Sequence, residues 1–262
     1  MIFIIKENNK LKNAFKNFLV FLFWILIWQI ISKLINKEIL FPTPGLVFLN
    51  LLKLILEKNF WIKVLNSLLK ILIAYLSAII VGSALGFLSS YFKIIDAVIA
   101  PIIKIIQSIP VPSITMLFLF YIKSKSLPTI VSFIIVMPII WQSVKSGFEN
   151  IDIKNIEMAK IFDLSFKDKI LNIYLPSVLP FLFSAMQSGI GLAWKAGIAS
   201  EITAVPLNTI GGMIKDSKTY LDSKGIFSWT IVVIILSMLF SKVFTIIIDK
   251  ISNLLRLKKV VE

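Results

Sequence analysis

From Ile71 to Phe92 the chain runs through twenty-two residues without a charge, and this stretch alone sets the class of fold. About 20 consecutive apolar residues make a helix as long as a bilayer's hydrocarbon is thick. Five more stretches come close to that length. They are Asn17 to Ser32 between Lys16 and Lys33, about Ala97 to Ile122 around Lys104, Ser126 to Val144, about Ser177 to Ser200 around Lys195, and Ile226 to Ile248 around Lys242. The runs are continuous rather than alternating, which argues against a membrane barrel. The reading is an all-α membrane protein with six transmembrane helices, near 17–35, 70–92, 97–122, 126–148, 177–200 and 226–248. Segments 1–16 and 251–262 flank a membrane domain of 17–250.

Composition decides between the partners that a net charge of +14 could serve. Hydrophobic residues make up 58% and charged residues 16%, against about 45–50% and about 25% in soluble domains. The lysines punctuate apolar runs instead of clustering on a polar domain, so they flank spans and reach lipid headgroups; no nucleic-acid partner is expected. With no His and no Cys, zinc sites built on those residues, haem held by them, thiol chemistry and a Ser-His-Asp triad are all excluded.

The basic start followed by an apolar run resembles a signal peptide, but Ser32-Lys33-Leu34 is a poor cleavage site, so an uncleaved first span is expected. With the N-terminus in the cytoplasm, fifteen Lys and Arg fall on that side against eleven outside. That bias places both termini in the cytoplasm. Thr43-Pro44 reads as a helix start, with Thr43 as cap. The helix that follows, from Leu46 to Asn66, is expected to lie at the interface because Lys53, Glu57, Lys58 and Lys63 interrupt it. Gly82 and Gly86, and the ridge Ala185, Gly189, Ala193 and Gly197, read as close helix packing. Pro101, Pro110, Pro112 and Pro138 are expected to interrupt spans three and four.

The longest charged stretch between spans runs from Lys145 to Pro176. Ile153, Ile156 and Lys160 fall at helical spacing, and Ser165 with Asp168 reads as a capping box opening a second short helix. A plain connection of about 30 residues is unusual; a solvated loop is the alternative. Within it Glu157, Met158 and Ala159 are followed by three residues, Asp163, nine residues, and then Ile173-Tyr174-Leu175-Pro176.

This segment resembles the Glu-Ala-Ala loop of ABC importer permeases. Met158 stands for the first Ala and Asp163 for the family Gly; Asp tolerates the left-handed backbone such a turn needs better than most residues. Thr43-Pro44, Ile109-Pro110-Val111-Pro112 and Gly189 to Glu201 are similar to permeases of the nitrate/sulfonate/taurine type. The resemblance spans most of residues 15–250. It implies a cytoplasmic coupling loop, 149–176, between spans four and five of a multi-pass bacterial cell-membrane protein. Glu157, Met158, Ala159, Phe162, Asp163, Leu164 and Pro176 would dock an ATPase. It further implies two ABC ATPase subunits, a second copy of the permease and an extracytoplasmic solute-binding protein. No Gly-x-x-x-x-Gly-Lys-Ser/Thr occurs in the sequence. This subunit would hold no cofactor and catalyse no reaction; ATP and Mg²⁺ would belong to the ATPase.

Lysine within a span is costly unless it faces a partner or water. Lys195 therefore either lines a translocation path for a small polar or anionic solute, or snorkels or pairs with Glu201. Trp194, Gln187, Gln107 and Glu201 are further path candidates; for both Gln107 and Gln187 helix-to-helix glue is the commoner role of a glutamine within a span. Residues Glu201 to Gly225 read as an irregular outer segment, partly re-entrant. The other functions that fit the sequence are an ATP-independent carrier or channel, which should carry inverted repeats, and a membrane-embedded enzyme.

Overall fold

The computed structural model describes residues 2–254, so tail residues 255–262 lie outside the described residues. Eleven helices and one π-helical turn follow in order: α1 (Ile2–Ile35), α2 (Pro44–Leu56), α3 (Lys58–Tyr91), α4 (Lys93–Ser108), α5 (Val111–Leu119), α6 (Leu127–Glu149), α7 (Ile153–Ile161), α8 (Phe166–Lys169), the turn Ile170–Tyr174, α9 (Leu175–Ala204), α10 (Ile210–Thr219) and α11 (Ser223–Leu254). No strand occurs among the described residues. Five helices are long and apolar enough to cross a membrane; α4 and α5 reach that measure only as a pair, bent by 102°.

That bend is the interruption expected of span three, over 97–122, and it falls at Pro110. Pro110 has no N–H, and a residue before proline is driven out of the helical region. Ile109 accordingly sits at φ −88, ψ 128, and α5 starts afresh on Pro110. Not every proline breaks its helix, contrary to the sequence expectation. Pro138 lies inside an unbroken α6 and Pro101 inside α4.

The second span also starts earlier than expected. The interface helix ends at Leu56, where Glu57 turns to φ −76, ψ 127. Lys58 then opens α3, which runs 34 residues to Tyr91. A helix of that length reaches about 51 Å, well past a hydrocarbon core of about 30 Å. Lys58, Lys63 and Lys70 therefore belong to the span's own helix rather than to a preceding element. The Thr43 cap forms as read, its Oγ1 accepting the Leu46 N–H at 3.4 Å, with Pro44 in the first turn.

The core is a three-helix pack of α3, α6 and α9. Apolar solvent supplies no hydrophobic drive between helices, so contact comes from close approach of small residues and from internal hydrogen bonds. A Cβ on Gly86 would stand 2.8 Å from the Trp141 carbonyl oxygen, and one on Gly197 2.5 Å from Ile71 Cγ1. Both positions are glycine because the opposing helix occupies that space. Ala185 and Ala193 of the same ridge are buried against the bundle. Several polar groups inside it are paired. Tyr75 donates to the Met186 carbonyl at 2.8 Å, Ser132 to the Ala193 carbonyl at 3.1 Å, and the Trp141 indole to Ser89 Oγ at 2.9 Å.

Candidate functional site

The charged stretch after α6 forms an arm. Asp152 caps α7, its Oδ1 accepting the Lys154 N–H at 2.9 Å. Beyond α7 the chain turns sharply. Asp163 stands at φ 45, its N–H donating to the Lys160 carbonyl at 3.2 Å, while the Leu164 N–H donates to the Ala159 carbonyl at 3.0 Å. This pair of crossed bonds is a Schellman motif, whose left-handed position is usually glycine. Ser165 then caps α8: its Oγ accepts the Asp168 N–H at 3.2 Å and donates to Asp168 Oδ2 at 2.6 Å. The chain passes through the π-helical turn straight into α9, with the Leu175 N–H reaching back to the Ile170 carbonyl. Pro176, which cannot donate, sits in the first turn of α9.

The arm has two faces. Ala159 is buried with Ile151 and Ile173 in a small apolar cluster joined by Phe148, Ile156, Leu164 and Tyr174. That cluster seats the arm on the ends of α6 and α9. The other face carries Ile153, Met158, Ile161 and Phe162, from 44% to 79% exposed, beside the exposed Glu157. Four large apolar side chains on one short helix amid charges form the kind of patch that marks a protein partner.

The α9 candidates separate. Lys195 is exposed on the side of α9 turned away from the core. Gln187 is half-buried. Trp194 is 1% exposed and its indole donates to the Val233 carbonyl at 3.1 Å, fastening α9 to α11. Glu201 is wholly buried and makes no ion pair with Lys195 among the described residues. Its Oε2 accepts the Ser67 hydroxyl at 2.8 Å and the Gly211 N–H at 2.9 Å, and Ser67 Oγ in turn accepts the Ile210 N–H. The segment after Glu201 is therefore no irregular loop: it holds α10. Val205, at φ 47, turns the chain out of α9 so that α10 begins against Glu201. Lys195 lies nineteen residues beyond Pro176, about 28 Å along α9, so arm and path candidates occupy different ends of one helix.

Two features escaped the sequence reading. Ser67 and Gly211 hold Glu201; a carboxyl in an apolar run demands such partners, but nothing local names them. On the arm's side of the bundle, Lys145 pairs with Asp96 at 2.6 Å, tying the end of α6 to the first turn of α4.

Comparison with known proteins decides the family. Residues 78–257 match the binding-protein-dependent transport system inner membrane component family. The chain belongs to that family. It is an ABC importer permease subunit of the nitrate/sulfonate/taurine type. The permease is 28% identical over 209 residues to the nitrate import permease protein NrtB of Synechococcus elongatus, covering 75% of this chain and 74% of the relative. It is 22% identical over 211 residues to the putative aliphatic sulfonates transport permease protein SsuC of Bacillus subtilis, covering 79% and 76%. A bicarbonate transport system permease protein, CmpB of Synechocystis, is 28% identical over 206 residues, covering 74% and 73%. Among solved structures, an amino acid ABC transporter with histidines matches 72% of the permease and 92% of its own chain, with a TM-score of 0.56 and 15% identity, so it shares the fold.

Proposed function

We propose that the permease is the membrane half of an ATP-driven importer for a small polar or anionic solute handed over by an extracytoplasmic binding protein. Two copies of the permease would carry two ATPase subunits, on which ATP and Mg²⁺ bind. The termini and the arm would face the cytoplasm, consistent with the lysine and arginine bias. The observation that carries this reading is the exposed apolar face of α7, held in place by the cluster around Ala159. Glu157, Met158 and Phe162 would enter a groove on the ATPase, while Ala159, Asp163, Leu164 and Pro176 would fix the arm's shape.

Closing of the ATPase pair on ATP would draw the two arms together and open the bundle outward; hydrolysis would let it return. The arm is continuous with α9 through the π-helical turn, so a push on α7 is delivered to the helix that carries Lys195. Lys195 and Gln187 would face the solute, whereas Trp194 and Glu201 would hold the path's wall in place.

Purification of the assembled complex tests this. An ATPase chain should copurify with the permease, and Glu157→Lys should abolish solute-stimulated ATP hydrolysis while the complex stays assembled. Solute uptake that needs no ATP, or a Glu157→Lys complex with full stimulation, would refute the proposal.

A further inference from the structure

A groove of about 750 Å³ opens between α9 and α11, with Gly191 as its floor on α9 and Ser237, Ser241, Thr245 and Lys242 among its lining on α11. The three hydroxyls recur every four residues, so they form one line down α11. Thr230, earlier in that helix, spends its hydroxyl on the Ile226 carbonyl, but no such bond ties these three among the described residues. A Cβ on Gly191 would meet nothing within 4 Å, so the glycine widens the groove rather than accommodating a neighbour.

Lys195 lies one turn beyond Gly191 on the same side of α9, and it too is exposed. The bond from Trp194 to Val233 fixes the register of the two antiparallel helices. From that level Lys242 stands nine residues further along α11, so the two lysines are staged about 15 Å apart in depth. Neither forms an ion pair among the described residues, and no carboxylate lines the groove. The nearest acid on α9, Glu201, is buried and occupied by Ser67 and Gly211.

Two unneutralised ammonium groups inside membrane-spanning helices, with the hydroxyls of Ser237 and Ser241 between their levels, make a path for negative charge. A zwitterion or cation would find no carboxylate for its positive group and would meet both lysines. We propose that the α9–α11 groove is the permease's stretch of the translocation path, and that Lys195 and Lys242 select a compact anion carrying no positive charge of its own. This rests on the importer reading above and narrows its solute class.

The test uses the whole importer, permease with its ATPase and binding protein, in proteoliposomes loaded with ATP. Uptake is measured with nitrate, bicarbonate, ethanesulfonate and taurine as probes. At least one of the three anions should enter at least tenfold faster than taurine. Lys195→Met and Lys242→Met should each slow that uptake tenfold or more, whereas Lys195→Arg and Lys242→Arg should keep at least half of it. Taurine carried as well as the anions, none of the three anions carried, or both Met variants transporting at the wild-type rate would overturn the proposal; the last would mean that the lysines only reach headgroups. Uptake without ATP would instead overturn the importer reading, so the two failures are distinguishable.

Discussion

Replacing Asp163 by glycine and by alanine isolates the backbone of the arm's turn, because this side chain is exposed. At φ 45 the residue stands in the left-handed region, which costs an L-residue with an ordinary side chain roughly 1–2 kcal/mol. Glycine escapes that cost but gives back about 0.5–1 kcal/mol in chain entropy. The net difference between the two variants is about 1 kcal/mol in favour of glycine, or about fivefold in the local opening equilibrium. Asp falls between them, since its short polar side chain lets it visit this region. Hydrogen exchange of the peptide covering 153–164 reads this directly, because the Asp163 and Leu164 N–H groups make the two crossed bonds of the turn. Asp163→Gly should match or exceed the wild type in protection, and Asp163→Ala should fall about fivefold below Asp163→Gly. Equal protection in the two variants, or better protection with alanine, would refute the turn.

Two more outcomes follow from pairs that the sequence did not reveal. Glu201→Ala leaves the Gly211 N–H and the Ser67 hydroxyl without their acceptor and opens a void, a loss of about 2–4 kcal/mol; the thermal midpoint of the detergent-solubilised permease should drop clearly, while Glu201→Gln, which keeps an acceptor oxygen, should stay near the wild type. The Asp96–Lys145 pair is 29% and 22% exposed, so a double-mutant cycle of Asp96→Asn and Lys145→Met should return a coupling of about 0.5–1 kcal/mol; zero coupling would show that the contact is incidental.

What the sequence made legible were features whose physics is local. The Thr43 cap, the Ser165 capping box and the small-residue ridge each declare themselves within a turn or two of helix, and all three appear as read. The length of α3 did not, because the charges at Glu57, Lys58 and Lys63 were read as a barrier, whereas a helix is free to continue past the bilayer into water. The same limit explains the prolines: Pro110 and Pro138 look alike in sequence, but only Pro110, following an extended Ile109, ends a helix. In the candidate site, the arm could be read from its own residues. The partners of Glu201 could not, since Ser67 is 134 positions away.

The elbow between α4 and α5 leaves a debt of polar valence. Pro110 has no N–H to offer, and the extended Ile109 interrupts the helical hydrogen-bond ladder between α4 and α5. Hydrocarbon cannot satisfy polar backbone groups, so irregular backbone at membrane depth is tolerated only against protein or water. The elbow is thus a compass for the bundle: whichever side carries it is turned away from the acyl chains.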